Sequence, residues 1–195
     1  MAPHLVAADS GADRCLTLGA NPEAVIGDMD SVRPETRAKI SADRWHRVAE
    51  QDSTDFDKAL RLTASPFVLA LGFLGARVDH ELAVLNVLTQ RWDRRCVLIG
   101  AKDVIFAAPR FLHIDMRAGD RFSLFPMQPI NGRSRGLEWP IDDIPLAPWQ
   151  RTSTSNRVTD GPVDLDFDQP GTLVIVARHR LPQALAALGC GAAAR

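Results

Sequence analysis

Between residues 5 and 100 the chain repeats one pattern: a short apolar run, a loop, then a stretch with helical spacing. Leu5-Val6-Ala7-Ala8 predicts a buried strand, followed by a turn and a helix to about Leu18 with Gly19 as its stop. Ala24-Val25-Ile26 predicts a second strand, and Pro34 fits the first turn of a helix through Ile40. Arg47-Val48-Ala49 is a third strand candidate. Phe56, Ala59, Leu60 and Thr63 then follow the i, i+3, i+4, i+7 spacing of a helix face. Residues 67–71 and 97–100 predict two more strands, with Leu82, Leu85, Leu88 and Trp92 as the buried stripe of the helix between them. Strands alternating with helices call for a mostly parallel sheet with helices on its faces.

Past residue 100 the pattern changes. Residues 104–106, 111–114, 121–125, 163–167 and 172–176 are short strand candidates separated by Pro, Gly and Asn turn signals. Helical periodicity returns only near Leu181. The expected organisation is an α/β domain over residues 1–100, then a small all-β sandwich or barrel-like domain over residues 101–195. The Ala- and Gly-rich tail from Ala184 predicts disorder in its last few residues.

Composition narrows the function classes. A formal net charge of -1 gives no general attraction to nucleic acid or anionic membrane. Cys15, Cys96 and Cys190 are widely spaced with no Cys-x-x-Cys pair, which argues against a zinc knuckle or a disulfide framework. No apolar run approaches the roughly 20 residues that span a bilayer. The opening Met-Ala-Pro-His-Leu lacks the basic region and apolar core of a signal peptide. A cytoplasmic protein with reduced thiols is expected.

Acidic residues recur where strands give way to loops: Asp9, then Asp28 and Asp30, then Asp52 and Asp55, then Asp79. In an open parallel sheet such positions lie along one edge, where ligands bind. A single Asp there is more often a turn residue or a helix cap than a ligand. Four placements in about eighty residues favour a shared site, and carboxylates gathered together repel unless a cation intervenes. A hard ion such as Mg²⁺ suits oxygen ligands and shares its shell with substrate phosphate. Lys58 follows Asp55 by three residues on one helix, and Arg77 precedes Asp79 by two. For both cations a phosphate contact and a solvated surface role stand as alternatives. His80 reads as a capping or packing residue.

Together these segments are recognisable. Asp9-Ser-Gly-Ala-Asp, Ile26-Gly-Asp-Met-Asp-Ser, Gln51-Asp-Ser-Thr-Asp-Phe and Gly75-Ala-Arg-Val-Asp-His resemble, in order, the motif set of thiamine pyrophosphokinases. Gly136-Leu-Glu-Trp-Pro and Ser153-Thr-Ser-Asn resemble that family's later motifs, so the likeness runs from about residue 5 to 177. The resemblance implies a Rossmann-like α/β domain followed by a β-sandwich, assembled as a homodimer with the active site between subunits. It implies transfer of a diphosphoryl group from ATP to the hydroxyl of thiamine, with Mg²⁺ and release of AMP. Asp28, Asp30 and Asp55 match the Mg²⁺-binding acids. Asp9, Gln51, Thr54, Lys58, Arg77 and Asp79 match the nucleotide and diphosphate region; with those substrates, Asp79 or Asp55 is the candidate to orient the thiamine hydroxyl or take its proton. Ser153, Ser155 and Asn156 match a segment near the thiamine pocket. Trp139 is expected in the sandwich core rather than stacked on thiamine.

The chain departs from the family pattern in places. Ser10 and Ala76 stand where glycines are usual, and no aromatic residue closely follows Asn156. The family normally has another strand and a Gly-containing loop ahead of the strand at Leu5. The expectation is either a start further upstream or a sheet short of one strand. Two rival readings also fit: a diphosphokinase for another hydroxymethyl heterocycle such as a pterin, and a non-catalytic nucleotide or thiamine sensor.

Overall fold

In the first 65 residues each apolar run becomes a very short strand: β1 (Val6–Ala8), β2 (Ala24–Gly27) and β3 (Trp45–Arg47). They form a parallel sheet in the order β1-β2-β3. Helices α1 (Gly11–Thr17), α2 (Pro34–Lys39) and α3 (Asp55–Leu62) connect or follow them. Gly19, at φ 73, takes the left-handed conformation expected of a helix stop. Strand β3 lies two residues upstream of the expected position. It pairs Trp45 with Val25 and Arg47 with Gly27, and where β2 ends its partner ends. Ala7, Ala12, Val25, Met29, Val32 and Ile40 form the core of this unit, and α3 packs against β1 and β2. This computed structural model describes residues 3–190, so the disorder expected of the last few residues falls outside the described range.

The second compact unit begins at Pro66. It contains β4 (Val68–Leu71), α4 (Val78–Gln90), β5 (Cys96–Ile99), β6 (Asp103–Ala107) and β7 (Phe111–Ile114). Then come β8 (Arg121–Pro126), β9 (Gly132–Arg135), β10 (Ser153–Arg157), β11 (Val163–Phe167), β12 (Thr172–Ala177) and α5 (Leu181–Ala187). A six-stranded sheet runs β10-β8-β12-β6-β5-β4, and a three-stranded sheet runs β7-β11-β9. Phe106, Phe122, Leu124 and Val174 of the first share one apolar core with Leu112, Ile114, Val163 and Phe167 of the second.

The parallel character read from the first hundred residues holds within β1–β3 and for the β4–β5 pair, but not as one sheet. Strand β5 pairs antiparallel with β6, Leu98 opposite Ile105. The link of residues 100–102 is too short for the crossover that parallel pairing needs. Consequently β4 and β5 belong to a mixed sheet that continues through residue 100.

Two further expectations are corrected. In α4 the buried side chains are Val84, Val87 and Leu88, whereas Leu82 is 58% exposed and Trp92, past the helix end, is 44% exposed. The helix is rotated because Val84 and Val87 pack inward alongside Leu88. Strands β9 and β10 were absent from the sequence expectation, since Gly-Arg-Ser-Arg and Ser-Thr-Ser-Asn-Arg lack apolar alternation. Among the described residues no helix is long and apolar enough to cross a membrane.

Candidate active site

The carboxyl ends of β1 and β2 carry the acids. Asp9 directly follows β1 with φ 43, and its backbone N–H donates to Ile26 O at 2.9 Å. Gly27 ends β2, and Asp28-Met29-Asp30 forms the loop beyond it. Met29 takes φ 70, an unusual value for a side-chain-bearing residue, and its N–H donates to Asp9 Oδ1 at 3.1 Å. Arg37 Nη2 donates to Met29 O at 2.6 Å, fixing the loop from α2. As a result, one carboxylate oxygen each of Asp9, Asp28 and Asp30 lies within 4.8 Å of the others.

Gly27 lets a fourth acid approach. A Cβ at that position would stand 2.9 Å from Asp9 Cβ and 3.2 Å from Asp55 Oδ1. Asp55 opens α3, whose N-cap Thr54 accepts from Asp57 N–H at 3.2 Å. Lys58 Nζ donates to Asp55 Oδ1 at 3.4 Å from a side chain only 2% exposed. Gln51 Nε2 donates to Asp28 Oδ2 at 3.2 Å. Six of the expected residues thus occupy one locality of the first unit: Asp9, Asp28, Asp30, Gln51, Asp55 and Lys58.

The electrostatics differ within the cluster. Burial pushes the Asp9 carboxyl above the ordinary carboxylate range; a hydrogen bond from the Ser10 backbone opposes this, and the charges of Asp55, Asp28 and Asp30 add to it. Asp28 moves the other way, lowered first by the Asp30 backbone N–H and then by Gln51. Hard oxygen donors this close, one of them disfavoured as an anion by burial and like charge, fit a divalent cation of the Mg²⁺ type.

Arg77 and Asp79 lie in the second unit at the start of α4. Arg77 Nη2 and Nε donate to Asp79 Oδ2 and Oδ1 at 2.6 and 3.2 Å, and both side chains are exposed. This two-point contact holds the Asp79 carboxyl below its usual range. The preceding turn is gathered by Glu81, whose Oε1 accepts from Gly75 N–H and Ala76 N–H.

On β10, Asn156 is buried and fully engaged. Its Nδ2 donates to Trp139 O at 2.7 Å and to Ser153 Oγ at 3.0 Å, while Oδ1 accepts from Trp139 N–H and Arg157 N–H. Ser155 sits at φ 58, with its N–H donating to Ser123 Oγ. Trp139 is not a core residue as expected: its side chain is 53% exposed, with the Arg157 guanidinium 6.0 Å from the ring centroid. Leu137, two residues earlier, takes the buried position instead.

Several contributors escaped the sequence reading. Glu50 accepts from the backbone of Asp52 and Ser53 and from Arg61 of α3, tying down the acidic loop. A Glu three residues before a Ser was the available signal. Gly27 and Met29 shape the site through backbone geometry. A depression of about 450 Å³ opens beside Asp28 and Asp30, lined also by Arg37, Trp45 and Arg47.

Residues 1–99 match the family model described as "Thiamin pyrophosphokinase, catalytic domain". The chain is 31% identical over 166 residues to thiamine pyrophosphokinase 1 of Oryza sativa subsp. japonica, covering 75% of this chain and 63% of that protein. It is 32% identical to thiamine pyrophosphokinase 3 of the same organism, covering 71% and 59%. The chain therefore spans about three-fifths of the length of these curated relatives. In fold it is similar to the thiamine pyrophosphokinase of Bacillus subtilis, with TM-score 0.74 at 22% identity over 91% of this chain and 89% of that one. It is also similar to thiamin pyrophosphokinase of Candida albicans, with TM-score 0.74 at 15% identity over 90% and 83%. With the matched family model covering just over half of its residues, this chain belongs to the thiamin pyrophosphokinase family.

Proposed function

We propose that the chain transfers the diphosphoryl group of ATP to the hydroxyl of thiamine, releasing AMP. The observation that carries this reading is the convergence of Asp9, Asp28 and Asp30 at the ends of two parallel strands, in a chain of this family. Asp28, Asp30 and Asp55 hold Mg²⁺, with Asp9 as a fourth acid on the buried side. The ion supplies charge neutralisation of the transferring phosphates.

The remaining work falls to the side chains. Gln51 orients Asp28, and Lys58 offsets the charge of Asp55 from beneath. Thr54 sets the start of α3 and so the direction of Asp55. Arg77 donates to Asp79 through Nε and Nη2 and offers Nη1 to a phosphate, and Asp79 or Asp55 orients the attacking hydroxyl or takes its proton. Catalysis in this scheme is positioning plus electrostatics.

By segment, we read the nucleotide and metal functions in residues 1–100 and the thiamine-receiving part in residues 101–195, a functional border that falls inside the mixed sheet rather than at Pro66. Ser153 and Ser155 are the candidate thiamine contacts. Asn156 builds their segment, and the exposed ring of Trp139 offers a stacking face that a core residue would not. We read the enzyme as a cytoplasmic homodimer with its active sites between subunits. AMP release measured with thiamine and with 6-hydroxymethylpterin as acceptors tests the reading. Turnover with thiamine supports it; turnover confined to the pterin replaces it with the rival diphosphokinase, and thiamine binding without turnover replaces it with the sensor.

A further inference from the structure

The depression beside Asp28 and Asp30 has a basic wall that the acids do not explain. Strand β3 places Trp45 and Arg47 two residues apart, hence on one face of the sheet, and pairs Arg47 with Gly27 immediately before Asp28. Arg37 reaches the same depression from α2. Its guanidinium is already committed, lying 5.7 Å from the Trp45 ring centroid and donating to Met29 O at 2.6 Å. Arg47 is exposed, and its guanidinium makes no hydrogen bond or ion pair among the described residues.

An uncommitted guanidinium beside a carboxylate cluster is a cation kept for something other than the acids. If the two were partners, the pairing would be visible in so open a site. A ligand that satisfies both must present a divalent cation to the carboxylates and anionic oxygens to the arginine. A metal-bound polyphosphate does this, and arginine's planar fork matches phosphate oxygens. A depression of about 450 Å³ is in the range of small-molecule sites.

We propose that Arg47 binds a phosphate oxygen of Mg·ATP from the β3 side of this depression. The proposal rests on the diphosphotransferase reading above and adds to it a residue outside the recognised motifs. It is tested by calorimetry with Mg²⁺ and α,β-methylene-ATP, which lacks the oxygen bridge that the reaction breaks. Arg47→Ala is expected to weaken binding about 10-fold or more, Arg47→Lys to restore part of it, and thiamine affinity to stay unchanged. Mg·pyrophosphate, run in parallel, should show the same loss if the phosphates rather than the nucleoside are what Arg47 contacts. Arg47 is exposed, so circular dichroism should match the wild type. Unchanged nucleotide affinity in Arg47→Ala overturns the Arg47 contact while leaving the function standing. Failure of the wild-type protein to bind the Mg²⁺–nucleotide overturns both.

Discussion

Gly27 and Asp9 face each other across β1 and β2 so closely that a single added methyl group would meet the aspartate's Cβ at 2.9 Å. The same methyl would stand 3.2 Å from Asp55 Oδ1, so this glycine sets the spacing of the acids. Gly27→Ala is expected to cost roughly 1–3 kcal/mol through overpacking. It should also weaken Mg²⁺-dependent nucleotide binding more than its stability loss explains. Thermal unfolding alongside calorimetry measures both, and a variant with normal melting and normal binding would remove Gly27 from the account.

Asp9 makes a pH prediction. Burial raises its folded-state pKa above the ordinary aspartate value, so the folded protein favours the protonated form. The stabilising contribution is then fully present below that value and is lost as pH rises through the folded pKa. Asp9→Asn keeps an acceptor for the Met29 N–H while removing the charge. Without Mg²⁺ the variant should therefore melt higher than the wild type at pH 7, with the gap narrowing toward pH 4. Added Mg²⁺ should raise the wild-type melting temperature more than that of the variant, which keeps Asp28, Asp30 and Asp55 but lacks the fourth acid. A wild type more stable than Asp9→Asn at neutral pH without metal contradicts this.

Asp28→Asn, Asp30→Asn and Asp55→Asn should each abolish turnover with the fold intact. Asp28 and Asp30 are solvent-facing, and Asp55 has Lys58 as its charge partner. Asp55→Asn alone leaves Lys58, only 2% exposed, without the carboxylate it donates to, so it should also lower the melting temperature. Equal melting of all three variants would argue against a stabilising Lys58–Asp55 pair.

Asn156 and Trp139 should separate by readout. Removing the buried amide in Asn156→Ala deprives Trp139, Ser153 and Arg157 of partners and should cost about 1–3 kcal/mol. Trp139→Ala removes an exposed ring, so stability should change little while the KM for thiamine rises. A KM for ATP that rises instead would assign the ring elsewhere.

How legible was this in the residues themselves? The acids at strand ends were readable because strand, loop and carboxylate all announce themselves locally, and parallel pairing brings their ends together. Their spacing was not readable: it depends on a glycine that has no side chain to notice and on Met29 at positive φ. Arg47 was hidden by a two-residue displacement of β3. Read as the first residue of a strand it points away from any ligand edge; as the last, it stands opposite Gly27. Likewise β9 and β10 are polar strands held by their neighbours' hydrogen bonds, a tertiary effect without a local signature. The split of the expected parallel sheet came from the short β5–β6 link, a length that was visible but whose consequence depends on pairing.

In the proposed reaction two phosphates move as one unit, governed by the acids around Gly27. The most direct measurement is the stoichiometry of products from ATP, thiamine and Mg²⁺, by chromatography with mass detection. One AMP should appear for each thiamine diphosphate formed by the wild-type chain, and neither product from Asp30→Asn or after chelation of the metal. Thiamine monophosphate with ADP, or thiamine diphosphate undiminished in Asp30→Asn, would contradict it.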